Sequence, residues 1–227
     1  MNNLWSAILI MAIFASCNTN EENNVESESK LTNTNEETIN NTSEQNYVSI
    51  DNDEALMATA LLAAPEANRA NCKVIGYNMA GEFVTYREGT NEFIVLTDDP
   101  KKSGFNAACY HKSLEPFMAR GRELKSEGKS GAEIFDIREE EVKSGKLSMG
   151  EPGATLHIYY GDSERYDPKT TQVENAIYRY VVYLPFATSE STGLPEAPIA
   201  SNHPWIMNPG THRAHIMISP INNSKKK

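Results

Sequence analysis

The pattern of apolar and polar positions changes character twice along this 227-residue chain. Residues Leu4 to Ser16 are apolar or small and carry no charge, residues Asn18 to Asn46 are almost wholly polar, and from Tyr47 onward apolar positions recur with regular spacing. In that last region Leu56, Ala60 and Ala63–Ala64 sit at helical spacing behind the capping oxygens of Ser49, Asp51 and Asp53, which predicts a helix over 53–68 limited by Pro65. Short β-prone runs follow at 72–77, 82–87 and 92–97, joined by Asn78-Met79-Ala80-Gly81 and by Glu88-Gly89-Thr90-Asn91, and read as a three-stranded antiparallel meander. Leu114, Phe117, Met118 and Leu124 then predict a helix over 113–125 with Pro116 in its first turn. Ser130-Gly131-Ala132-Glu133 has the spacing of a capping box, in which the serine hydroxyl and the glutamate carboxylate each satisfy a free amide, and it opens a second helix that ends before Gly145. Strands are predicted again at 154–160, 176–186 and 214–219, with loops over 161–173 and 187–213. The result is an α+β domain over 47–224: a mostly antiparallel sheet of five to six strands with about three helices packed largely on one face.

The two segments before that domain carry a different message. An apolar run of about thirteen residues has the length of a signal-peptide core and falls short of the roughly 20 needed to span a bilayer. Ala15 and Ser16 are small and stand directly before Cys17. Phe14-Ala15-Ser16-Cys17 resembles the lipobox of bacterial lipoprotein precursors, although Phe14 replaces the usual leucine and Met1-Asn2-Asn3 has no basic residue. The resemblance implies cleavage after residue 16, acylation of the Cys17 thiol and attachment of the exported protein to a membrane. Asn18 in place of aspartate points to the outer membrane, by analogy with enteric bacteria. Residues 18–46 contain only Val25, Leu31 and Ile39 as aliphatics, too few to offset the entropy of ordering, and are expected to form a disordered tether with a reach of roughly 30 Å.

Charge refines this picture. The chain has 31 acidic and 21 basic residues, and seven of the glutamates but only one lysine fall in the tether. The domain is therefore only mildly acidic. Its basic residues are dispersed, apart from the tail Lys225-Lys226-Lys227, which excludes the concentrated cationic face of a nucleic-acid binder.

Two stretches stand out within the domain: Arg87-Glu88-Gly89-Thr90-Asn91, and Pro204-Trp205 followed by His215-Ile216-Met217. On these the chain resembles a group of uncharacterised exported bacterial proteins with a central R-E-G-T-N, a mid-chain Cys segment and a C-terminal H-I-M. The likeness runs over roughly 60–220 and implies a shared fold and export, with function left open.

Candidate chemistry is sparse. Arg87 and Glu88 either close a hairpin turn or present a guanidinium to a ligand carboxylate. His203, His212 and His215, with Asp98-Asp99 on a loop, offer donors for zinc with an open position for water, or with Met207 and Met217 for copper(I), but no cofactor is predicted. His212 and His215 converge only if Thr211-His212-Arg213 is a turn. Cys109 lies two residues from His111. Once Cys17 is acylated, Cys72 and Cys109 are the remaining thiols, candidates for a disulfide, for two free buried cysteines or, at Cys109, for a catalytic nucleophile. Two function classes follow. One is a tethered binding module for an envelope protein or small molecule, with Tyr178, Tyr180, Tyr183 and Trp205 supplying aromatic surface and Arg87, Glu88, His212 and His215 polar contacts. The alternative is a small His-centred hydrolase, with or without metal. A cleft joining His203, His212, His215 and Glu88 would favour the second; open aromatic faces without converging titratable groups would favour the first.

Overall fold

A computed structural model describes residues 46–220, so the leader, Cys17 and most of the tether lie outside the described residues. The chain runs β1 (Val48–Ser49), α1 (Asp53–Ala60), two 3₁₀ segments (Leu61–Ala63 and Glu66–Asn71), β2 (Lys73–Tyr77), β3 (Phe83–Arg87), β4 (Phe93–Leu96) and β5 (Phe105–His111). It continues through α2 (Glu115–Ser126), α3 (Gly131–Lys143), β6 (Thr155–Gly161), β7 (Arg165–Tyr166), β8 (Ile177–Tyr183), α4 (Ser189–Thr192), β9 (Trp205–Met207) and β10 (His215–Ile218). Eight strands form one mixed sheet in the order β3-β2-β4-β5-β6-β8-β10-β9, and β1 pairs with β7 in a small separate ladder. The architecture is α+β, with a larger sheet than the five or six strands expected.

Three expectations are corrected. The segment 72–97 is not a meander: β4 runs parallel to β2, pairing Lys73 with Ile94 and Ile75 with Leu96, while β3 occupies the edge. The chain leaves β3, crosses the start of β2 and enters β4 on the other side. Second, β5 is an additional central strand. Its Asn, Ala and Cys residues lack the β-branched signature of a strand, yet their small size lets two layers close over the sheet.

Third, the helices are not gathered on one face. Consecutive residues are buried on opposite faces: Val74 and Ile75, Ile94 and Val95, Cys109 and Tyr110. Such pairs mark strands covered on both sides. On one face α1 and the 3₁₀ segments pack Ala60, Leu62, Ala63 and Ala64 against Val74, Val95, Phe105, Cys109 and Tyr159. On the other, Leu114 and Phe117 from the α2 region pack against Ile75, Ile94, Tyr110, Val181, Tyr183 and Met217, and α3 lies against α2. Helix α1 stops at Ala60, earlier than expected, because the chain tightens into 3₁₀ turns before Pro65. No helix among the described residues is long and apolar enough to cross a membrane.

Candidate ligand-binding site

The R-E-G-T-N stretch is the crossing over the start of β2. Arg87 Nε donates to the carbonyl of Cys72 at 3.1 Å and its Nη2 to that of Arg69 at 2.6 Å. The amide of Thr90 donates to the carbonyl of Asn71, and Asn91 Nδ2 to that of Asn68. A Cβ at Gly89 would stand 2.1 Å from the Lys73 nitrogen, so only glycine lets the backbones pass. Glu88 is exposed and bridges Lys73 at 3.1 Å. These residues clasp the last 3₁₀ turn to β2. The guanidinium of Arg87 is spent on main-chain carbonyls.

The three histidines take separate surroundings. His212 is fully buried, edge-on to Phe117 and Phe135, with its Nδ1 2.8 Å from Glu139 Oε2. Burial pushes its pKa below the ordinary histidine value despite that carboxylate, so the neutral ring donates from Nδ1. Glu139, held by Lys143 and then His212, is depressed to about 2. His215 is buried beside Tyr183, with its Nδ1 2.6 Å from the carbonyl of Arg213, and burial lowers its pKa as well. His203 is half-buried in a different place, described below. Asp98 accepts from the Asn106 amide and Asp99 pairs with Lys102. Among the described residues no three His, Cys, Asp or Glu side chains are grouped to hold a metal. The cleft joining Glu88 with the histidines, which would have favoured a hydrolase, is not seen: Glu88 pairs with Lys73, His212 with Glu139 and His215 with the Arg213 carbonyl.

Both remaining thiols are fully buried and unbonded, and they lie against each other, while His111 turns to Ser113. Burial raises the pKa of each. That removes the reactive thiolate a nucleophile needs.

The feature best suited to holding a ligand is a cavity of about 760 Å³ beside β8, β10 and β9, roofed by residues 198–203. Its sheet wall is set by pleat: Arg179 on β8, Met217 on β10, and Trp205 and Met207 on β9 share one face. Loop residues including Ile199 and His203 close the other side. Arg179 lies over the ring of Tyr160 with its carbon 4.8 Å from the centroid and donates from Nη2 to the Tyr160 hydroxyl at 2.7 Å. Its Nε is buried without a hydrogen-bond partner, and so is Nδ1 of His203. An indole, two thioethers, an arginine and a histidine thus line one space. Buried polar groups left without partners cost about 1–3 kcal/mol each, and Arg138 Nε, His212 Nε2 and Arg213 Nε share that condition away from this cavity.

Of the residues singled out by sequence, only Trp205, Met207, Met217 and His203 meet at this cavity. Arg179 was missed, since nothing in its surroundings within β8 distinguishes it from an ordinary strand arginine. Its partners come from β6 and the distant loop. Tyr178 and Tyr180 point to the opposite face, where Tyr178 stacks with Tyr159 at a centroid separation of 4.6 Å and with Tyr180 at 6.2 Å.

Comparison with known protein families, with curated proteins and with solved structures yields no match to this chain. The case for function rests on the site itself.

Proposed function

We propose that this protein is an exported, lipid-anchored binding module that captures a ligand in the cavity between β8–β10–β9 and the loop 198–203. The observation that carries the reading is that Arg179, which meets Tyr160 and no carboxylate among the described residues, lines one cavity with His203 and the Trp205 indole. A ligand with a flat or apolar group against Trp205 and an acceptor, preferably anionic, toward Arg179 supplies what the site lacks. The anchor is Cys17, and the acidic segment that follows it sets the domain at a distance from headgroups of like charge. Envelope attachment, most consistent with the outer membrane, explains why a module without a converging catalytic constellation would be tethered.

The test uses the mature chain that begins at Cys17, in which Trp205 is the sole indole. Titration with 1-anilinonaphthalene-8-sulfonate, a planar anion, is expected to saturate at one site with energy transfer from Trp205. Read by the probe's own emission, which needs no indole, Arg179→Gln and Trp205→Ala should each weaken it about tenfold or more, the equivalent of about 1.4 kcal/mol. Unchanged affinity in both variants would sink the site. Anchoring is tested separately: Cys17→Ser should abolish incorporation of labelled palmitate and release the protein from the membrane fraction.

A further inference from the structure

A second cavity of about 320 Å³ lies on the same face of the sheet, beneath α2. Its floor is Leu96, Ala108, Leu156 and Ile158, and α2 supplies Met118, Arg122 and Lys125 along its wall. It adjoins the first cavity: Ile158 and Arg179 are direct cross-strand partners, with side chains on the same face. From β4 to β9 the face spans five strand intervals, roughly 24 Å at a spacing of about 4.8 Å.

The two halves differ in chemistry. Next to Trp205 the walls offer Arg179, His203, Ser201, Asn202 and Ser219, whereas the floor beneath α2 is apolar. Neither cavity has an aspartate or glutamate in its wall, although the chain carries ten more acidic than basic residues. The cations are unevenly compensated. Arg122 is held by Glu115 at 2.6 Å, and Lys102 by Asp99 at 2.6 Å. Lys125 shares that aspartate with Lys102, whose ammonium beside it depresses the Lys125 pKa, with burial adding to the effect. Among the described residues Arg179 meets no carboxylate and is held by the Tyr160 hydroxyl and ring. The face therefore presents net positive charge around an apolar floor, the complement of a molecule with a negative head and an apolar tail.

Resting on the binding reading above, we propose that the two cavities form one trough for a single-tailed anionic amphiphile. The head occupies the larger cavity at Arg179, His203 and Trp205, and the tail crosses Ile158 into the apolar pocket beneath α2. A free long-chain carboxylate and a lysophospholipid share this chemistry.

Binding to the full chain is measured by calorimetry below micelle-forming concentrations, with palmitoyl lysophosphatidylglycerol, palmitate, octanoate, glycerophosphoglycerol and neutral monopalmitin. The palmitoyl lysolipid or palmitate should bind at least tenfold tighter than the tail-less glycerophosphoglycerol and octanoate, and tenfold tighter than monopalmitin. Whichever of the first two binds more tightly identifies the source of the tail. Ala108→Phe, which fills the floor beneath α2, should erase the advantage of the long tail and leave anilinonaphthalene sulfonate binding intact. Met118→Trp does the same from the helix side and replaces Ala108→Phe if that variant does not fold. Equal affinity for short and long tails, for neutral and anionic heads, or for wild type and both filled variants would overturn the trough and leave the Trp205 site standing. Failure of the sulfonate probe to bind wild type would instead remove the site and the trough together.

Discussion

Arg87 reaches fifteen residues back along the chain to place its Nε 3.1 Å from the carbonyl oxygen of Cys72. That bond, with the second one to Arg69, closes the crossing that makes β4 parallel to β2. Carbonyls of a strand start and a 3₁₀ end are otherwise left unsatisfied, and a guanidinium with its fixed fork satisfies two at once. Arg87→Leu is therefore expected to destabilise the domain by about 3–6 kcal/mol, the sum of two charge-assisted hydrogen bonds. Gly89→Ala should cost a comparable amount, because a methyl 2.1 Å from the Lys73 nitrogen forces the two backbones apart. Urea unfolding measures both. Wild-type midpoints would mean that the stretch serves a ligand and that its contacts with β2 are incidental.

How legible this was in sequence depends on the range of the forces. Local signals were readable: the Ser130–Glu133 capping box is present, and α2 carries Pro116 in its first turn. What escaped was non-local. Nothing between residues 72 and 97 reveals that β4 passes to the far side of β2, since a short link is usually a hairpin. The run Phe93-Ile94-Val95-Leu96 did carry a signal, an unbroken apolar stretch that marks burial on both faces. Strand β5 was hidden by alanines and a cysteine chosen for thinness. At the candidate site Trp205 was visible as an aromatic in a proline-rich loop, whereas Arg179 gained its meaning only from Tyr160 across the ladder and from loop residues twenty positions away.

The capping box offers the cleanest test of a local contribution. Ser130 Oγ accepts from the Glu133 amide at 3.3 Å, and Glu133 Oε2 accepts from the Ser130 amide at 2.8 Å. The site is exposed, so no packing changes with it. Ser130→Ala should lower stability by about 1 kcal/mol in urea unfolding, and Ser130→Asp should restore most of it.

Stability should fall on mild acidification. His157, His212 and His215 all have pKa values lowered, first by burial, so each is neutral in the fold and charges more readily when unfolded. The unfolded chain therefore binds more protons below about pH 6.5, the ordinary histidine value. Their contribution is intact above that pH and is lost as pH falls through the lower folded values. Glu139, depressed to about 2, adds its own loss only below about pH 4.5. Urea midpoints recorded from pH 7.5 to 5.0 should decline, and His212→Gln should make the decline shallower. A flat profile over that range would contradict the burial of these rings as neutral groups.

Cys72 and Cys109 are buried against each other with both thiols protonated. If the chain is exported as proposed, a disulfide is expected to form before the core closes over the thiols, by exchange with a partner's disulfide: each thiol loses its proton and the pair gives two electrons to the partner, which leaves as a dithiol. Closing that loop stabilises by about 3–4 kcal/mol from loop-closure entropy. Protein isolated from the envelope and unfolded without reductant should titrate no thiols, and two after reduction. Two thiols in the unreduced sample would show that the pair remains open and that its role is packing.

Arg138 is 8% exposed, yet among the described residues it makes no ion pair, and the Glu141 carboxylate acts on it only weakly. Its guanidinium carbon lies 3.9 Å over the Phe117 ring, Nη1 donates to the Phe117 carbonyl, and Nε is unsatisfied. Burial, then the charge of Arg213, lower its pKa to about 10. What holds it is a planar cation on a π face, together with an apolar stem packed between α2 and α3. Those two contributions respond differently to substitution. Arg138→Met retains the stem, removes a poorly paired charge, and should stay within about 1.5 kcal/mol of wild type. Arg138→Lys retains the charge but concentrates it on an ammonium that is more strongly hydrated and cannot stack, and should cost about 3 kcal/mol or more. The chemically conservative change is thus expected to be the more damaging one. Urea unfolding of the two variants side by side decides it: a lysine variant more stable than the methionine variant would show that the charge itself, through a partner in the assembled protein, is what the position requires.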